Sequence, residues 1–167
     1  MPYLFLDFEA SSLSKQSYPV EVGWVDETGE GESHLLRPAP TWTEWDDAAA
    51  AVHGITRQTL LDQGESVDAV CGRLVELAQT RQLLASAPSW DGHWLSMLLR
   101  AAGRPRHLIR LVDTEVAFIE AARAHGGDTT ALIAAARARA EAQPPAHRAL
   151  ADARREWSIW RSLLDGR

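Results

Sequence analysis

The sequence predicts an α/β fold in which helices flank a mixed sheet, with a three-stranded meander first and parallel strands after it. Two observations support this prediction. Three short segments rich in apolar, β-branched or aromatic residues follow one another within the first 36 residues. Beyond them, segments with the apolar spacing of helices alternate with short strand-like segments, as in strands joined by helical crossovers.

The meander is predicted from strands at residues 3–9, about 20–25 and about 33–36. The first segment reads Tyr-Leu-Phe-Leu-Asp-Phe-Glu, which suits a central strand better than a helix. The run Asp26-Glu27-Thr28-Gly29 is a turn signal between the second and third segments. Three strands that follow one another in this way form an antiparallel meander.

The rest of the chain is predicted to alternate helices with two more strands. A proline- and tryptophan-bearing loop at 37–45 comes first, and the two strands are expected at 83–87 and about 107–112. Ser66 is the predicted cap of an amphipathic helix, and Pro144-Pro145 precedes the last helix. The predicted helices are a pair separated by Gly54, then 66–79, a helix that Asp91 opens and Gly103-Arg104-Pro105 ends, 113–125, 130–139 and 148–164.

Length and composition favour one domain over residues 1–167, because a chain that is 46% hydrophobic can bury a core without disulfides or metals. Cys71, the single cysteine, lies among apolar residues at helical spacing and is interpreted as a core side chain. The N-terminus lacks a basic region ahead of an apolar stretch, and no apolar run approaches the roughly 18 residues of a membrane span. A cytoplasmic protein is therefore expected.

The net charge of −6 disfavours tight, non-specific binding of long nucleic-acid duplexes. It does not exclude a nuclease, because metal ions held by carboxylates supply positive charge where a scissile phosphate lies.

Two acidic residues in the first strand indicate a metal site. Asp7 and Glu9 are two positions apart, so their side chains point to the same face of the sheet. Two partly buried carboxylates repel each other, and they need a cation or a shared proton. Oxygen ligands of this kind suit Mg²⁺ or Mn²⁺. The alternative is that these acids end a strand and face water.

Three later residues are further candidates, and two of them, Asp91 and His147, have two interpretations each. Asp91 follows a predicted strand at the start of a helix, where it could be a metal ligand or an N-terminal cap. His147 precedes Asp152 by five residues, a spacing that puts them on different helical faces. We therefore predict that His147 lies on a loop and that Asp152 is held rigidly in the last helix. An isolated loop histidine is either a catalytic base or a surface residue.

Taken in order, Asp7-x-Glu9, Asp91 and His147-x-x-x-x-Asp152 resemble the three sequence blocks of the DEDDh exonucleases. That family includes the proofreading subunit of bacterial DNA polymerase III, ribonuclease T and oligoribonuclease. Pro19-Val20-Glu21-Val22-Gly23 is similar to the family's second strand, and Val52-His53-Gly54-Ile55-Thr56 to its His-Gly-Ile loop. The resemblance extends from residue 3 to about residue 160.

Two blocks depart from the family pattern. Ala87-Pro88-Ser89-Trp90-Asp91 stands where the family often has Asn-Ala-x-Phe-Asp, so the usual asparagine is missing. Ser11-Ser12-Leu13 replaces the common Thr-Gly-Leu. These changes affect the expected substrate preference more than the expected chemistry.

The resemblance implies a ribonuclease H-like sheet and a 3′-5′ exonuclease that releases nucleoside monophosphates from single-stranded or short DNA or RNA. By this resemblance, two divalent ions, Mg²⁺ or Mn²⁺, bind at the scissile phosphate, and His147 takes a proton from the attacking water. A homodimer is a further expectation. The implied metal ligands are Asp7, Glu9, Asp91 and Asp152, and the implied lining of the pocket for the 3′-terminal nucleotide is Ala10, Ser11, Ser12, Leu13 and His53.

Two other functions are open at this point. The same fold could serve as a catalytically inactive nucleic-acid-binding module, although all five catalytic positions are occupied as the family requires. A hydrolase or phosphotransfer domain of another α/β class lacks support, because neither a Gly-x-x-x-x-Gly-Lys loop nor a Gly-x-Ser-x-Gly elbow occurs. Of the tryptophans, Trp42 and Trp45 are predicted to stack on bases, and Trp94, Trp157 and Trp160 to lie in the core.

Overall fold

The computed structural model describes residues 1–142 and 146–166. The strands among these residues are β1 (Tyr3–Ala10), β2 (Pro19–Asp26), β3 (Gly31–Leu35), β4 (Gln82–Ala85) and β5 (Leu111–Asp113). The helices are α1 (Asp47–His53), α2 (Arg57–Gln63), α3 (Val67–Ala78), α4 (Pro88–Ala101), α5 (Thr114–Arg123), α6 (Thr129–Glu141) and α7 (Ala149–Leu164). The Pro144-Pro145 boundary predicted before the last helix lies outside the described residues.

The strands form one mixed sheet in the order β3-β2-β1-β4-β5. The pairs β1/β2 and β2/β3 are antiparallel, whereas β4 runs parallel to β1 and β5 runs parallel to β4. The predicted meander followed by parallel strands is therefore confirmed. Strand β1 is central, with an antiparallel neighbour on one side and a parallel neighbour on the other.

Several predicted boundaries were wrong. The strand expected at 107–112 is reduced to Leu111–Asp113, because a turn closed by the Leu108 amide and the Pro105 carbonyl at 3.0 Å precedes it. Helix α4 starts at Pro88 rather than at Asp91, since proline tolerates the first helical position, where its missing N–H is not needed. Strand β4 ends at Ala85, two residues earlier than expected. The Ser66 cap of α3 is confirmed, and its hydroxyl accepts from the Ala69 amide at 3.2 Å.

The two faces of the sheet carry two different cores. Leu4, Leu6 and Phe8 of β1 pack with α3 and α4 on one face, where Cys71 is buried as predicted. Phe5 points to the opposite face and packs with α5, α6 and α7. Because side chains alternate along a strand, Asp7 and Glu9 lie on the Phe5 face, below α7. The alternation of β1 thus fixes which helix covers the two carboxylates.

Glycine in β2 lets α7 approach this face closely. Gly23 lies opposite Asp7 in the antiparallel pairing. A Cβ atom at position 23 would lie 2.2 Å from the backbone nitrogen of Leu150, at the start of α7. Only glycine leaves enough space for the first turn of α7 to rest on the sheet beside Asp7. None of the described helices combines the length and apolar character that crossing a bilayer requires.

Candidate functional site

Three carboxylates from two elements meet where α7 crosses the sheet. Asp7 and Glu9 project from β1, and Asp152 projects from the first turn of α7. One oxygen of each lies within 4.8 Å of one oxygen of each of the others, and all three side chains are half-buried. This arrangement could hold a metal ion through hard oxygen ligands.

The electrostatics of this carboxylate cluster favour protonation or cation binding. Burial raises the pKa of Asp7 well above its ordinary value, and the charges of Asp91, Glu9 and Asp152 raise it further. Burial also raises the pKa of Glu9 to about 7; Asp152 adds to that shift, and the Arg148 guanidinium opposes it. The pKa of Asp152 is raised by burial, against the lowering effect of His147 and Arg155. Burial and mutual repulsion thus disfavour the ionised carboxylates more than the neighbouring cations favour them.

Asp91 lies in the first turn of α4 and is only 2% exposed. The cap interpretation is wrong, because Ala87 occupies the N-cap position and no side chain caps the helix. Burial raises the pKa of Asp91 to about 7, although hydrogen bonds from the backbone of Ala87, Phe8 and Asp91 itself lower it. Asp91 stands outside the group of three that meet within 4.8 Å, but its charge raises the pKa of Asp7. It is thus close enough to act on the same site.

A fifth carboxylate, Glu156, was missed by the sequence analysis. It follows Asp152 by one helical turn of α7, and it accepts a hydrogen bond from the Thr114 hydroxyl at 2.9 Å. Burial raises its pKa, and its charge raises the pKa of both Asp7 and Asp91. The i, i+4 spacing from Asp152 could have indicated that Glu156 faces the same side of the helix.

His147 lies in the loop that leads into α7, as predicted. Its backbone is left-handed, with φ of 48°, which is uncommon for a residue other than glycine. The side chain is exposed and makes no hydrogen bond to the described residues. Its charge lowers the pKa of Asp152, so the imidazole lies within electrostatic range of that carboxylate.

The residues predicted to line a terminal-nucleotide pocket follow β1 directly, but they differ in exposure. Ala10, Ser11 and Ser12 are buried, whereas Leu13 is 72% exposed. His53 ends α1 and is 5% exposed, and its Nδ1 accepts from the Ile55 amide at 3.0 Å. The proton of the neutral ring is therefore assigned to Nε2, which is buried and makes no hydrogen bond of good geometry to the described residues. The Ala10 backbone nevertheless interacts with the ring and raises its pKa, whereas burial has the larger, lowering effect.

Glu44 connects the loop before α1 to the serine-rich turn after β1. Its carboxylate accepts hydrogen bonds from the hydroxyls of Ser11 at 2.6 Å, of Ser14 at 3.1 Å and of Ser12. Burial raises the pKa of Glu44, but these three donors outweigh it and hold the pKa below its ordinary value. No sequence signal indicated this contact, because 30 or more residues separate Glu44 from each serine.

The tryptophans are distributed differently from the prediction. Trp42 was expected to stack on bases, but it is 4% exposed and stacks on Tyr18 with a ring separation of 5.2 Å. Trp45 is half-buried, edge-on to His53. Trp94 and Trp160 lie in the core as predicted, and Trp157 is partly buried against it.

Trp90, which the sequence analysis did not single out, has an exposed indole. It is 40% exposed, stacks on Trp94 at 5.7 Å and directly precedes Asp91. It lines an open cavity of about 430 Å³ together with Ser14, Lys15, Ser89 and His93. The exposed face of the indole is thus available to a flat ligand.

By sequence, the chain matches no family model and no curated protein. By structure, it superimposes on E. coli exonuclease I bound to zinc and single-stranded DNA, with a TM-score of 0.69 and 19% identity, over 95% of this chain and 39% of that chain. An E. coli exonuclease I complex with a dA16 oligonucleotide gives a TM-score of 0.69 and 19% identity, over 98% of this chain and 40% of that one. A further exonuclease I structure gives a TM-score of 0.72 and 19% identity, over 99% of this chain and 41% of that chain.

The chain has the fold of exonuclease I. The ribonuclease H-like α/β sheet implied by the DEDDh resemblance is thereby confirmed. The chain spans about two fifths of the length of these exonuclease I structures. What is shared with exonuclease I is the fold.

Proposed function

We propose that this protein is a metal-dependent 3′-5′ exonuclease that releases nucleoside monophosphates from the 3′ end of single-stranded or short DNA or RNA. The observation that carries the proposal is the meeting of Asp7, Glu9 and Asp152 within 4.8 Å on a sheet with the exonuclease I fold. Separate elements supply these carboxylates, and Asp91 and His147 lie beside them. The carboxylates of an ordinary acidic surface patch are exposed, whereas these three are half-buried.

The residues fit divalent metal ions. The raised pKa values of Asp7, Glu9, Asp91 and Asp152 mean that the ionised carboxylates are unbalanced, and a cation would balance them. We propose that these four residues would hold two ions, Mg²⁺ or Mn²⁺. When bound, such ions supply positive charge at the scissile phosphate and at the oxygen that leaves.

His147 is proposed as the general base. Its imidazole is exposed and is close enough to Asp152 to affect its pKa. Imidazole exchanges protons near neutral pH, so it can accept the proton of the attacking water and release it to solvent. Its freedom from protein hydrogen bonds among the described residues leaves the ring nitrogens for this task.

The segment after β1, with His53 beside it, is proposed to form the pocket for the 3′-terminal nucleotide. His53 Nε2 makes no hydrogen bond of good geometry to the described residues, and the turn from Ser11 to Ser14 is fixed by Glu44. A free 3′-hydroxyl can both donate and accept hydrogen bonds here, whereas a terminal phosphate would meet the ionised Glu44. Binding the end of a strand in this pocket would direct cleavage to the last phosphodiester.

Single-stranded substrates are favoured by the surface beside the site. Trp90 presents an exposed indole face, and Lys15 adds a positive charge to the same cavity. Bases of a single strand stack on such aromatic faces with little dependence on sequence. With a net charge of −6, affinity for nucleic acid has to come from local features of this kind.

The test uses 5′-labelled single-stranded DNA and RNA oligonucleotides, incubated with Mg²⁺, Mn²⁺ or EDTA. We expect a ladder that shortens from the 3′ end, that requires metal and that is slower on substrates with a 3′-phosphate. Asp7→Asn should abolish the activity. Asp62→Asn removes the same charge from an exposed position on α2 and should leave activity unchanged.

Each contrary result identifies a different function. Cleavage of a circular single strand would mean an endonuclease. Retention of single-stranded DNA by the metal-loaded protein without cleavage of any substrate would mean a nuclease-fold binding module. Full activity of Asp7→Asn would place the chemistry elsewhere in the molecule.

A further inference from the structure

Helix α7 begins without a side-chain cap of its own. Its N-cap residue, Arg148, makes no capping hydrogen bond within the helix. Instead, the first amide of the helix, that of Ala149, donates to Oε2 of Glu21 on β2 at 3.0 Å. A carboxylate at this position satisfies a free amide and interacts favourably with the helix dipole. A residue from another element thus caps the helix that carries Asp152.

The same Glu21 carboxylate also binds the Arg148 side chain. Arg148 Nε donates to Oε2 at 2.9 Å, and Nη2 donates to Oε1 at 2.6 Å, which is a bidentate pair. The Glu21 side chain is 3% exposed, whereas that of Arg148 is 49% exposed. Three donors from two consecutive residues therefore converge on one buried carboxylate.

The register of β1 and β2 explains why this anchor lies at the site. Glu21 is opposite Glu9, and Gly23 is opposite Asp7. Directly opposed residues of an antiparallel pair share a face, so Glu21 and Gly23 lie beside the two carboxylates of β1. Gly23 leaves space for the start of α7 to rest on the sheet, and Glu21 attaches that start to it.

His147 comes immediately before this anchor. Its left-handed backbone, with φ of 48°, turns the chain directly into Arg148. Its side chain makes no hydrogen bond to any residue that the structure describes. The placement of the imidazole therefore depends on the backbone that follows it, and Glu21 holds that backbone through Ala149 and Arg148.

We propose that Glu21 is a positioning residue that acts through His147, by fixing the backbone from which the imidazole projects. The proposal rests on the proposed function of His147 as the general base. Asp152 follows within the first helical turn, where its amide donates to the Arg148 carbonyl at 3.0 Å. The helix itself thus holds Asp152, so loss of Glu21 should affect the base much more than the metal ligands.

The first experiment needs no catalysis. Hydrogen-deuterium exchange of Glu21→Gln should show faster exchange at the start of α7, at the Arg148 and Ala149 amides, with little change in α5. The matched control is Glu32→Gln, which breaks the exposed bidentate pair of Glu32 with Arg73, at 2.6 and 3.3 Å, away from the site. Unchanged exchange at the start of α7 in Glu21→Gln would overturn the proposal whether or not the protein is a nuclease.

The second experiment is a double-mutant cycle on the single-turnover rate with saturating metal. Glu21→Gln should slow the step about 10- to 100-fold, as expected when a catalytic group is misplaced by about 1 Å, while the affinity for single-stranded DNA and the Mg²⁺-induced rise in Tm persist. In a His147→Ala background the same change should have almost no further effect, since both remove the same contribution. Losses that multiply would show that Glu21 acts independently of His147, which would overturn the proposal.

Arg148→Lys keeps the experiment decisive if Glu21→Gln folds poorly. Lysine preserves the charge but cannot form the two parallel hydrogen bonds of the guanidinium. We expect a smaller rate loss in the same direction, and again none in the His147→Ala background. An inactive unmodified protein would contradict the proposed nuclease function, and the exchange experiment would still decide whether Glu21 orders the start of α7.

Discussion

The metal-free protein should lose stability as pH rises from 5 to 8, and Mg²⁺ or Mn²⁺ should restore it. An acid whose pKa is raised on folding holds its proton more tightly in the folded state than in the unfolded state. The free-energy penalty for ionising this acid in the folded state is absent when the pH is below the pKa of the unfolded state. It grows between the pKa values of the two states and is complete above the pKa of the folded state. For Glu9 this window extends from 4.5 to about 7, and for Asp91 from 3.8 to about 7.

The size of the effect follows from these two windows. At about 1.4 kcal/mol for each pH unit, the two windows correspond at pH 8 to about 3.5 kcal/mol for Glu9 and about 4.5 kcal/mol for Asp91. Because Glu9 is partly exposed and the groups interact, we take about 3 to 5 kcal/mol for the two together. For a chain of this size, 1 kcal/mol changes the Tm by about 2 to 4 °C, so the metal-free Tm should fall by about 10 °C.

The assay is thermal unfolding at several pH values, in EDTA and in millimolar Mg²⁺ or Mn²⁺. Metal should raise the Tm at pH 8 and have much less effect at pH 5, where protons occupy the site. His53 changes the stability in the opposite direction. Burial lowers its pKa, so the folded state binds this proton less tightly than the unfolded state and gains stability as pH rises. Comparing the two series at each pH cancels that contribution.

The control is Asp7→Asn, which removes one of the repelling charges. Its metal-free Tm at pH 8 should be higher than that of the unmodified protein, and its metal-induced rise should be smaller. A metal-free Tm that stays constant or increases from pH 5 to 8, together with no response to metal, would refute the claim that unbalanced carboxylates form this site.

Three further predictions concern single residues. His147→Ala should slow the single-turnover rate by about 10²- to 10⁴-fold, the usual range for general base catalysis, and leave the metal-induced Tm rise intact; a full rate would make His147 a bystander. Trp90→Ala should weaken binding of single-stranded DNA by about 1 to 3 kcal/mol, the value of one stacked base, and Trp90→Phe should retain most of the affinity in a fluorescence-anisotropy titration. Gly23→Ala should destabilise the protein by at least about 1 to 3 kcal/mol, because the new Cβ would meet the Leu150 backbone at 2.2 Å; an unchanged urea midpoint would contradict the close contact of α7 with β2.

Local sequence patterns were sufficient for the order of the elements and for the face on which the carboxylates of β1 lie. Alternation along residues 3–9 predicted the shared face of Asp7 and Glu9, because a strand has a two-residue period. The start of α4 was misplaced, since Pro88 can open a helix as readily as an acidic cap can. The 107–112 segment was predicted as a strand, although Ile109 is buried in a bend that follows the turn at 105–108.

Contacts between distant segments account for what was missed. Trp42 lies in the loop before α1, and Trp90 lies in the first turn of α4. Tyr18 covers the Trp42 ring, whereas Trp90 stays 40% exposed. Glu44 and Glu21 gain their roles only from partners 30 or more residues away. No local pattern encodes such partners.

The sequence by itself determined the α/β fold class, the shared face of Asp7 and Glu9 and the placement of His147 ahead of the last helix. Strand and helix periods, together with ordered motifs, are properties of neighbouring residues, so a sequence can reveal them. Only the tertiary structure decided how close those carboxylates come, how far burial raises their pKa values and which residue anchors α7. These depend on the distance between chain segments and on the water excluded when α7 packs onto Gly23, which the packed fold alone fixes.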